Sequence, residues 1–350
     1  MVTYADTVVL AAVITGPPRE GVDFFPLTVD YREKTYAAGK FPGGFFKREA
    51  RPTQKEILTM RMIDRPLRPM FPTGYVDEVL IQAMVLATDQ ENEPDILAML
   101  GASAALCVSQ LPFEGPSAAC RVAYVEGEYV LNPTLKQLEF ATMEMVLAGH
   151  KDALNMIEVG AMEVSEQVVS DGIAFGQKAI VELCGMLQEL QNKAGKPKEW
   201  TPPPPTTELE AELRSKYADA LRSARSTAGK QDRYKAVNDV YKAAKAVYAP
   251  ADATKPPKYT WNQVREFLDH LEGEILTDMV LRNGKRSDGR GPRDIRPIVS
   301  EVGVLPRVHG SALFQRGETQ ALCVTTLGTG RDEQIVDGLT EEYSKKFMLH

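Results

Sequence analysis

Asp6-Thr-Val-Val-Leu-Ala-Ala-Val-Ile-Thr-Gly16 returns near the far end of the chain as Glu318-Thr-Gln-Ala-Leu-Cys-Val-Thr-Thr-Leu-Gly328. Both stretches read as an acid, Thr, two variable residues and Leu, then five more residues and Gly. Val8–Ile14 is a short apolar run of the kind that makes a buried strand. A pattern repeated at long separation is the signature of a duplicated unit, so the two β-rich regions are expected to be copies of one domain. The copies are unequal in extent. Asp294 to Gly317 precedes the second match, where the first has only Met1 to Ala5. His350 follows soon after the second match, while the first continues far beyond Gly16. The chain is therefore expected to be shortened at both ends relative to a complete two-copy protein.

The text around the first match alternates strands and helices. A second strand is expected within Phe24–Tyr31. Thr53-Gln-Lys-Glu56 has capping-box spacing behind Pro52 and predicts a helix start, with Pro66 ending or kinking that helix near Arg65. Val79, Ile81, Ala83 and Val85 alternate as a half-buried strand. Pro94 suits the first turn of an apolar helix over 95–109. Residues 122–130 predict a hairpin turning at Glu126-Gly127. From about Val164 to Leu281 the composition shifts to Ala, Glu, Lys, Leu and Arg, which predicts one long helix before Asn192 and then several shorter ones. Thr201–Thr206, with four consecutive prolines, reads as a stiff connector, and 249–257 as a second break.

One segment carries a distinctive charge. Phe41-Pro-Gly-Gly-Phe-Phe-Lys-Arg-Glu-Ala-Arg51 joins a mobile Gly-Gly pair to two aromatics and two cations. Rings stack on bases and cations hold phosphates, which is the composition of a single-strand nucleic-acid grip. Between Lys40 and Arg68 lie Lys40, Lys47, Arg48, Arg51, Lys55, Arg61, Arg65 and Arg68, opposed by Glu49, Glu56 and Asp64, in a protein of net charge −7. A concentrated basic segment on an acidic protein suggests a localised polyanion site. The same residues also suit a buried Phe pair beside a solvated charge run. Arg61, Arg65 and Arg68 recur at helical spacing and are further candidates for phosphate contacts, as is Arg51.

Other chemistry is sparse. Cys107, Cys120, Cys184 and Cys323 are scattered without a CxxC pair and read as reduced structural cysteines of a cytoplasmic protein. The four histidines are far apart, and no metal site is expected. No apolar run approaches the roughly 20 residues that cross a bilayer, and the start lacks the pattern of a signal peptide. Asp332, Glu333 and Asp337 read as a solvated acidic loop. Asn283-Gly-Lys-Arg-Ser287 lacks the upstream glycine of a phosphate loop. Asp288 fits a turn.

A longer set of motifs carries a family resemblance. Asp23–Tyr31, Tyr36–Lys40, Pro42–Glu49, Ile63–Pro72, Gly101–Leu106 and Gly127–Thr134, followed by Gly303–Arg307 and His309–Gln320, resemble the polynucleotide phosphorylase family. The resemblance implies an α+β fold class, with duplicated RNase PH-like β-α-β domains joined by an all-helical domain. It divides the chain into a first RNase PH-like domain over 1–160 (missing its first strands), a helical domain over 161–282 and the start of a second, truncated RNase PH-like domain over 283–350. It implies a 3′-to-5′ exoribonuclease that uses orthophosphate to release nucleoside diphosphates and runs in reverse to polymerise. A homotrimer would thread single-stranded RNA through a central channel, with RNA-degradation complexes as further partners. Carried over residue by residue, Phe45 and Phe46 stack on RNA at the channel constriction, and Lys47 and Arg48 contact phosphate. The family's phosphate-binding and Mg²⁺-supporting residues belong to segments expected downstream of His350, so no catalytic residue is assigned here and the fragment itself is expected to be inactive. The alternative is a non-catalytic RNA-binding or assembly subunit built on the same domains.

Overall fold

The computed structural model describes all residues except 19–21, 23, 43–48, 50, 203–205, 251–257 and 350. Its contacts divide the chain into two compact units, 1–203 with 333–350, and 204–332.

The first unit is built on two four-stranded sheets. β1 (Val2–Tyr4), β2 (Thr7–Gly16), β3 (Leu27–Glu33) and, after α1 (Gln54–Leu67), β4 (Glu78–Ala87) form one sheet in the order β1-β2-β4-β3, with β3 parallel to β4 and the other pairs antiparallel. The alternation read in β4 is real: Val79, Ile81, Ala83 and Val85 are all buried. α2 (Pro94–Val108) follows, then β5 (Ala118–Val125), β6 (Glu128–Leu131), α3 (Leu135–Leu138), β7 (Ala141–Gly149) and β8 (Leu154–Ala161), giving a second sheet ordered β6-β5-β7-β8. The β5–β6 hairpin turns at Glu126-Gly127, both in the left-handed region as a primed two-residue turn demands. α2 is apolar around most of its circumference because it packs against elements of both sheets and against α1.

α1 starts where the sequence places it. Thr53 Oγ1 accepts from the Glu56 N–H, and Glu56 returns a carboxylate oxygen to the Thr53 N–H at 2.6 Å. The expected stop near Arg65 is displaced. The helix carries Pro66 inside it, ends at Leu67 and tightens into a 3₁₀ turn over Arg68–Met70. Buried Ile63, Pro66 and Leu67 hold this last turn in the core, and Asn155 Nδ2 donates to the Pro66 carbonyl at 2.9 Å.

The long helix α4 (Glu166–Ala194) opens the region read as all-helical, yet it belongs to the first unit. It lies on β5 and β7 through Gly172 and Gly176. A Cβ at Gly176 would stand 2.4 Å from Leu147 Cδ1, so only a glycine lets the helix approach this closely. Beyond it the chain returns to the same core. Lys198 Nζ caps the C-terminal end of α2 by donating to the carbonyls of Leu106, Cys107 and Ser109, and Trp200 packs on the aromatic group of Phe25, Phe71, Tyr75 and Phe113. The boundary expected at 160/161 therefore falls inside a packed region.

In the second unit α5 (Thr207–Arg225), α6 (Lys230–Tyr248) and α7 (Trp261–Asn283) close around Leu209, Leu213, Leu221, Val237, Val264, Leu268 and Ile275. Thr260 caps α7 in a complete capping box with Gln263, and Gly284 ends it at φ 63°. That places Asn283-Gly284 in a helix C-cap. β9 (Ile298–Val302), β10 (Gly310–Arg316) and β11 (Thr319–Thr325) then form an antiparallel sheet ordered β11-β10-β9. The final hairpin, β12 (Gln334–Val336) with β13 (Tyr343–Lys345), lies in the first unit. Pro203, Pro204 and Pro205 of the 201–206 connector and most of the 249–257 break lie outside the described residues. No helix among the described residues is long and apolar enough to cross a membrane.

Candidate nucleic-acid interface

Phe45, Phe46, Lys47 and Arg48 lie outside the described residues, but the chain on either side of them is well anchored. On the entering side a 3₁₀ turn over Thr35–Ala38 ends at Gly39, φ 67°. On the leaving side Glu49 is tied back to that turn: the Thr35 N–H and Oγ1 donate to Glu49 Oε1 at 2.8 and 2.7 Å, and Lys34 Nζ reaches Oε2 at 3.0 Å. The Thr35 backbone N–H, with the hydroxyl and Lys34 behind it, holds the Glu49 carboxyl below its usual range against the opposing effect of burial.

The basic run is sorted by the fold into structural and free cations. Arg68 is structural. It pairs with Asp64 at 2.6 Å and donates to the carbonyls of Phe25 and Leu27. Arg65 is ion-paired with Glu158. Lys55 sits between Glu93 at 2.8 Å and Glu33 at 3.3 Å. Burial alone would lower the Lys55 ammonium, but Glu93 and Glu33 more than offset it and hold the group above its ordinary value. Burial in turn raises the Glu33 carboxyl. Arg51 and Arg61 are exposed and have no ion-pair partner among the described residues. The arginine stripe inferred from spacing thus leaves Arg61 as its one unpaired described member.

Lys40 has a role that no local pattern announces. Its Nζ donates to the carbonyls of Gly338 at 2.9 Å and Thr340 at 2.6 Å, and lies 3.7 Å from Asp337 Oδ1. Between those carbonyls Leu339 is 3% exposed in the first unit's core. The β12–β13 hairpin is docked in this way, and with Glu33, Arg51, Thr53, Lys55 and Glu93 it encloses a cavity of about 630 Å³. The carboxylates here are already engaged: Glu33 and Glu93 by Lys55, and Glu56 by the N–H groups of Glu33 and Thr53.

The acidic loop read at 332–337 is likewise distributed. Asp332 accepts from the Thr329 N–H and Oγ1, Glu333 from Ser344, and Asp337 faces Lys40. Asp288 accepts from the N–H and Nε of Arg290, which supports its reading as a turn residue. Among the described residues no group of three or more His, Cys, Asp or Glu side chains gathers as the ligands of a metal ion would.

Comparison with known proteins places this geometry. Residues 1–112 and 294–349 match the family model described as 3′ exoribonuclease family, domain 1, and residues 115–179 match domain 2 of the same family. Residues 208–291 match the model described as polyribonucleotide nucleotidyltransferase, RNA binding domain. The polyribonucleotide nucleotidyltransferase of Phenylobacterium zucineum is 48% identical over 351 residues, covering 100% of this chain and 49% of that protein. Those of Nitrobacter winogradskyi (48% identity, 99% of this chain, 48% of the relative) and Maricaulis maris (47%, 100% and 49%) match equally well. The chain spans about half the length of the curated relatives it matches. With three matches along its length and nearly half of all positions identical from end to end, the chain belongs to the polyribonucleotide nucleotidyltransferase family and corresponds to the N-terminal half of its members.

Proposed function

We propose that this chain is the RNA-gripping scaffold of a phosphorolytic 3′-to-5′ exoribonuclease, which degrades RNA with orthophosphate to nucleoside diphosphates and also runs in reverse. The observation that carries this reading is the identity to polyribonucleotide nucleotidyltransferases along the entire chain. Phe45 and Phe46 stack on bases at the constriction of a channel formed by three copies, and Lys47 and Arg48 hold the backbone. The anchoring of both loop ends by Glu49 and the Thr35 turn supports that role. Stacking of about 1–3 kcal/mol per base tolerates any sequence, as a processive degrader needs. Arg51 and Arg61 are the remaining candidates for backbone contacts, while the engagement of Arg65 and Arg68 favours structural roles. The second RNase PH-like domain begins after α7, and it supplies the phosphate site and the Mg²⁺ ligands from chain beyond His350. The protein works in the cytoplasm as a homotrimer, in company with other RNA-degrading proteins.

The test is phosphate-dependent ADP release from poly(A) with Mg²⁺, using the 350-residue chain and a form extended to the length of its relatives. Release by the extended form alone is expected. Release by the 350-residue chain would overturn the placement of the chemistry. Binding without release by either form would favour a non-catalytic RNA-binding subunit.

A further inference from the structure

The connection from α7 into β9 holds the second concentration of positive charge in this acidic protein. Between Arg282 and Arg296 there are six cations (Arg282, Lys285, Arg286, Arg290, Arg293 and Arg296) and two acids, Asp288 and Asp294. The fold divides them into two sets. Arg286 and Arg290 are turned inward as staples. The Arg286 N–H donates to the Arg290 carbonyl at 2.8 Å, its Nη2 donates to the Pro292 carbonyl, and Arg290 Nη1 donates to the Asp294 carbonyl at 2.7 Å. Both acids are used within the same knot, Asp288 by Arg290 and Asp294 by the Gly291 N–H at 2.7 Å. Arg282 pairs with Asp278. What remains is Lys285, Arg293 and Arg296, all exposed and without an ion-pair partner among the described residues. The Gly317 N–H donates to the Pro297 carbonyl, so exposed Arg316, beside Gly317, adds a fourth cation close to Arg296. Glu318 is the exposed acid beside them.

We propose that Lys285, Arg293 and Arg296 form an RNA-backbone site, separate from the Phe45–Arg48 loop, that holds consecutive phosphates of a single strand. The proposal rests on the exoribonuclease reading above and adds a contact to it. A free solvated charge run would not need its two central arginines tied into a hydrogen-bonded knot. Here the knot fixes the backbone from which the outward cations project before any ligand arrives, which lowers the ordering cost of binding. The occupant follows from the chemistry presented. The connection from 284 to 297 has no aromatic ring to stack on a base, so it reads charge and not sequence. Lys285 falls within the match of residues 208–291 to a model described as an RNA binding domain, while Arg296 falls within the 294–349 match to a 3′ exoribonuclease family model, and both favour RNA over an acidic protein segment as the polyanion.

The experiment is poly(A) binding by the 350-residue chain across a salt series, comparing wild type with the triple variant Lys285→Gln, Arg293→Gln, Arg296→Gln. A matched control neutralises three exposed cations of α5 and α6 that have no ion-pair partner among the described residues: Arg222→Gln, Lys230→Gln, Lys235→Gln. Three lost phosphate contacts are expected to flatten the log–log salt slope by about 2, at about 0.7 per contact on a single strand. The control triple is expected to leave the slope near that of wild type, and neither triple should shift the melting temperature. An unchanged slope in the first triple, or an equal flattening by both, overturns the site. Failure of the wild-type chain to bind poly(A) at all overturns the exoribonuclease reading along with it.

Discussion

Two hairpins of this molecule are built from the same sentence of sequence and are covered to different extents. β1 turns into β2 through Ala5-Asp6, and β10 turns into β11 through Gly317-Glu318. In each the residue before the tight turn pairs with the Thr that follows it, Tyr4 with Thr7 and Arg316 with Thr319. Each turn opens with a left-handed residue, Ala5 at φ 48° and Gly317 at φ 60°. The repeat recognised in the sequence is therefore a repeat of register as well as of letters. Burial then diverges. β2 pairs along its length with β4 and is covered by α2, so Val9 is fully buried. Among the described residues β11 pairs with β10 alone, and every position of β11 is exposed. Local pattern makes a hairpin, but what lies across its free edge and face decides whether that hairpin becomes core.

The largest expected difference between the two regions concerns charge. Arg121 on β5 is 8% exposed and ion-paired with Asp95 and Glu144. Arg121→Ala leaves buried Asp95 without its partner and should lower the stability of the first unit by about 3–5 kcal/mol in urea unfolding. Arg316→Ala, at the exposed end of β10, should change stability by no more than about 0.5 kcal/mol. Equal losses would mean that the second sheet is packed in solution.

Apolar truncation should separate the regions by nearly as much. Ile81→Ala, fully buried on β4 against β2, is expected to cost about 2–5 kcal/mol. Leu322→Ala on β11, 53% exposed, is expected to cost less than about 0.5 kcal/mol. If Leu322→Ala in a form extended to the relatives' length costs as much as Ile81→Ala, the second hairpin gains the cover that the first already has.

Exchanging the turn residues sharpens the likeness. Ala5→Gly removes a left-handed strain of about 1–2 kcal/mol at an entropic cost of about 0.5–1, a net gain between about 0 and 1.5 kcal/mol. Gly317→Ala imposes the same strain and brings a new methyl 3.2 Å from Arg296 Cδ, a side chain free to move, so a loss near 1 kcal/mol is expected. Amide hydrogen exchange in β2 and β11 reads both effects with opposite sign.

The smallest perturbation is chemical labelling. Burial pushes the Cys120 thiol up to about 12 and the Cys184 thiol to about 11, and raises that of Cys107. Cys323 on β11 is exposed. A thiol reagent near pH 8 should find one fast cysteine, with the other three reacting after unfolding. A slow Cys323 would contradict the bare second sheet.

Periodic and local signals were legible in the sequence. The alternation of β4, the Thr53–Glu56 capping box, the Glu126-Gly127 turn and the repeat itself all depend on residues close together along the chain. Their energetics are settled within a few residues of backbone. Tertiary context overrode the local signals in three places. Pro66 sits inside its helix because the last turn is held by Ile63, Leu67 and Asn155. α4 joined the first unit, although its composition grouped it with the helices that follow, because Gly172 and Gly176 allow it to sit against the sheet. At the candidate site, eight cations were visible as a run, but their sorting into paired and free was not. The partners of Lys40, Lys55, Arg65 and Arg68 come from distant segments.

By itself, then, the sequence determined which segments become strands and helices, where the turns fall and that one hairpin is written twice. It also carried the family, through motifs that need no fold to be read. The tertiary structure alone decided which copy of the hairpin gains cover, which arginines remain free to meet a phosphate, and that Leu339 closes a core begun at Val9. The physical reason is range. Hydrogen bonds of turns and caps act between neighbours along the chain, whereas burial and ion pairing depend on surfaces that meet only after the chain has folded.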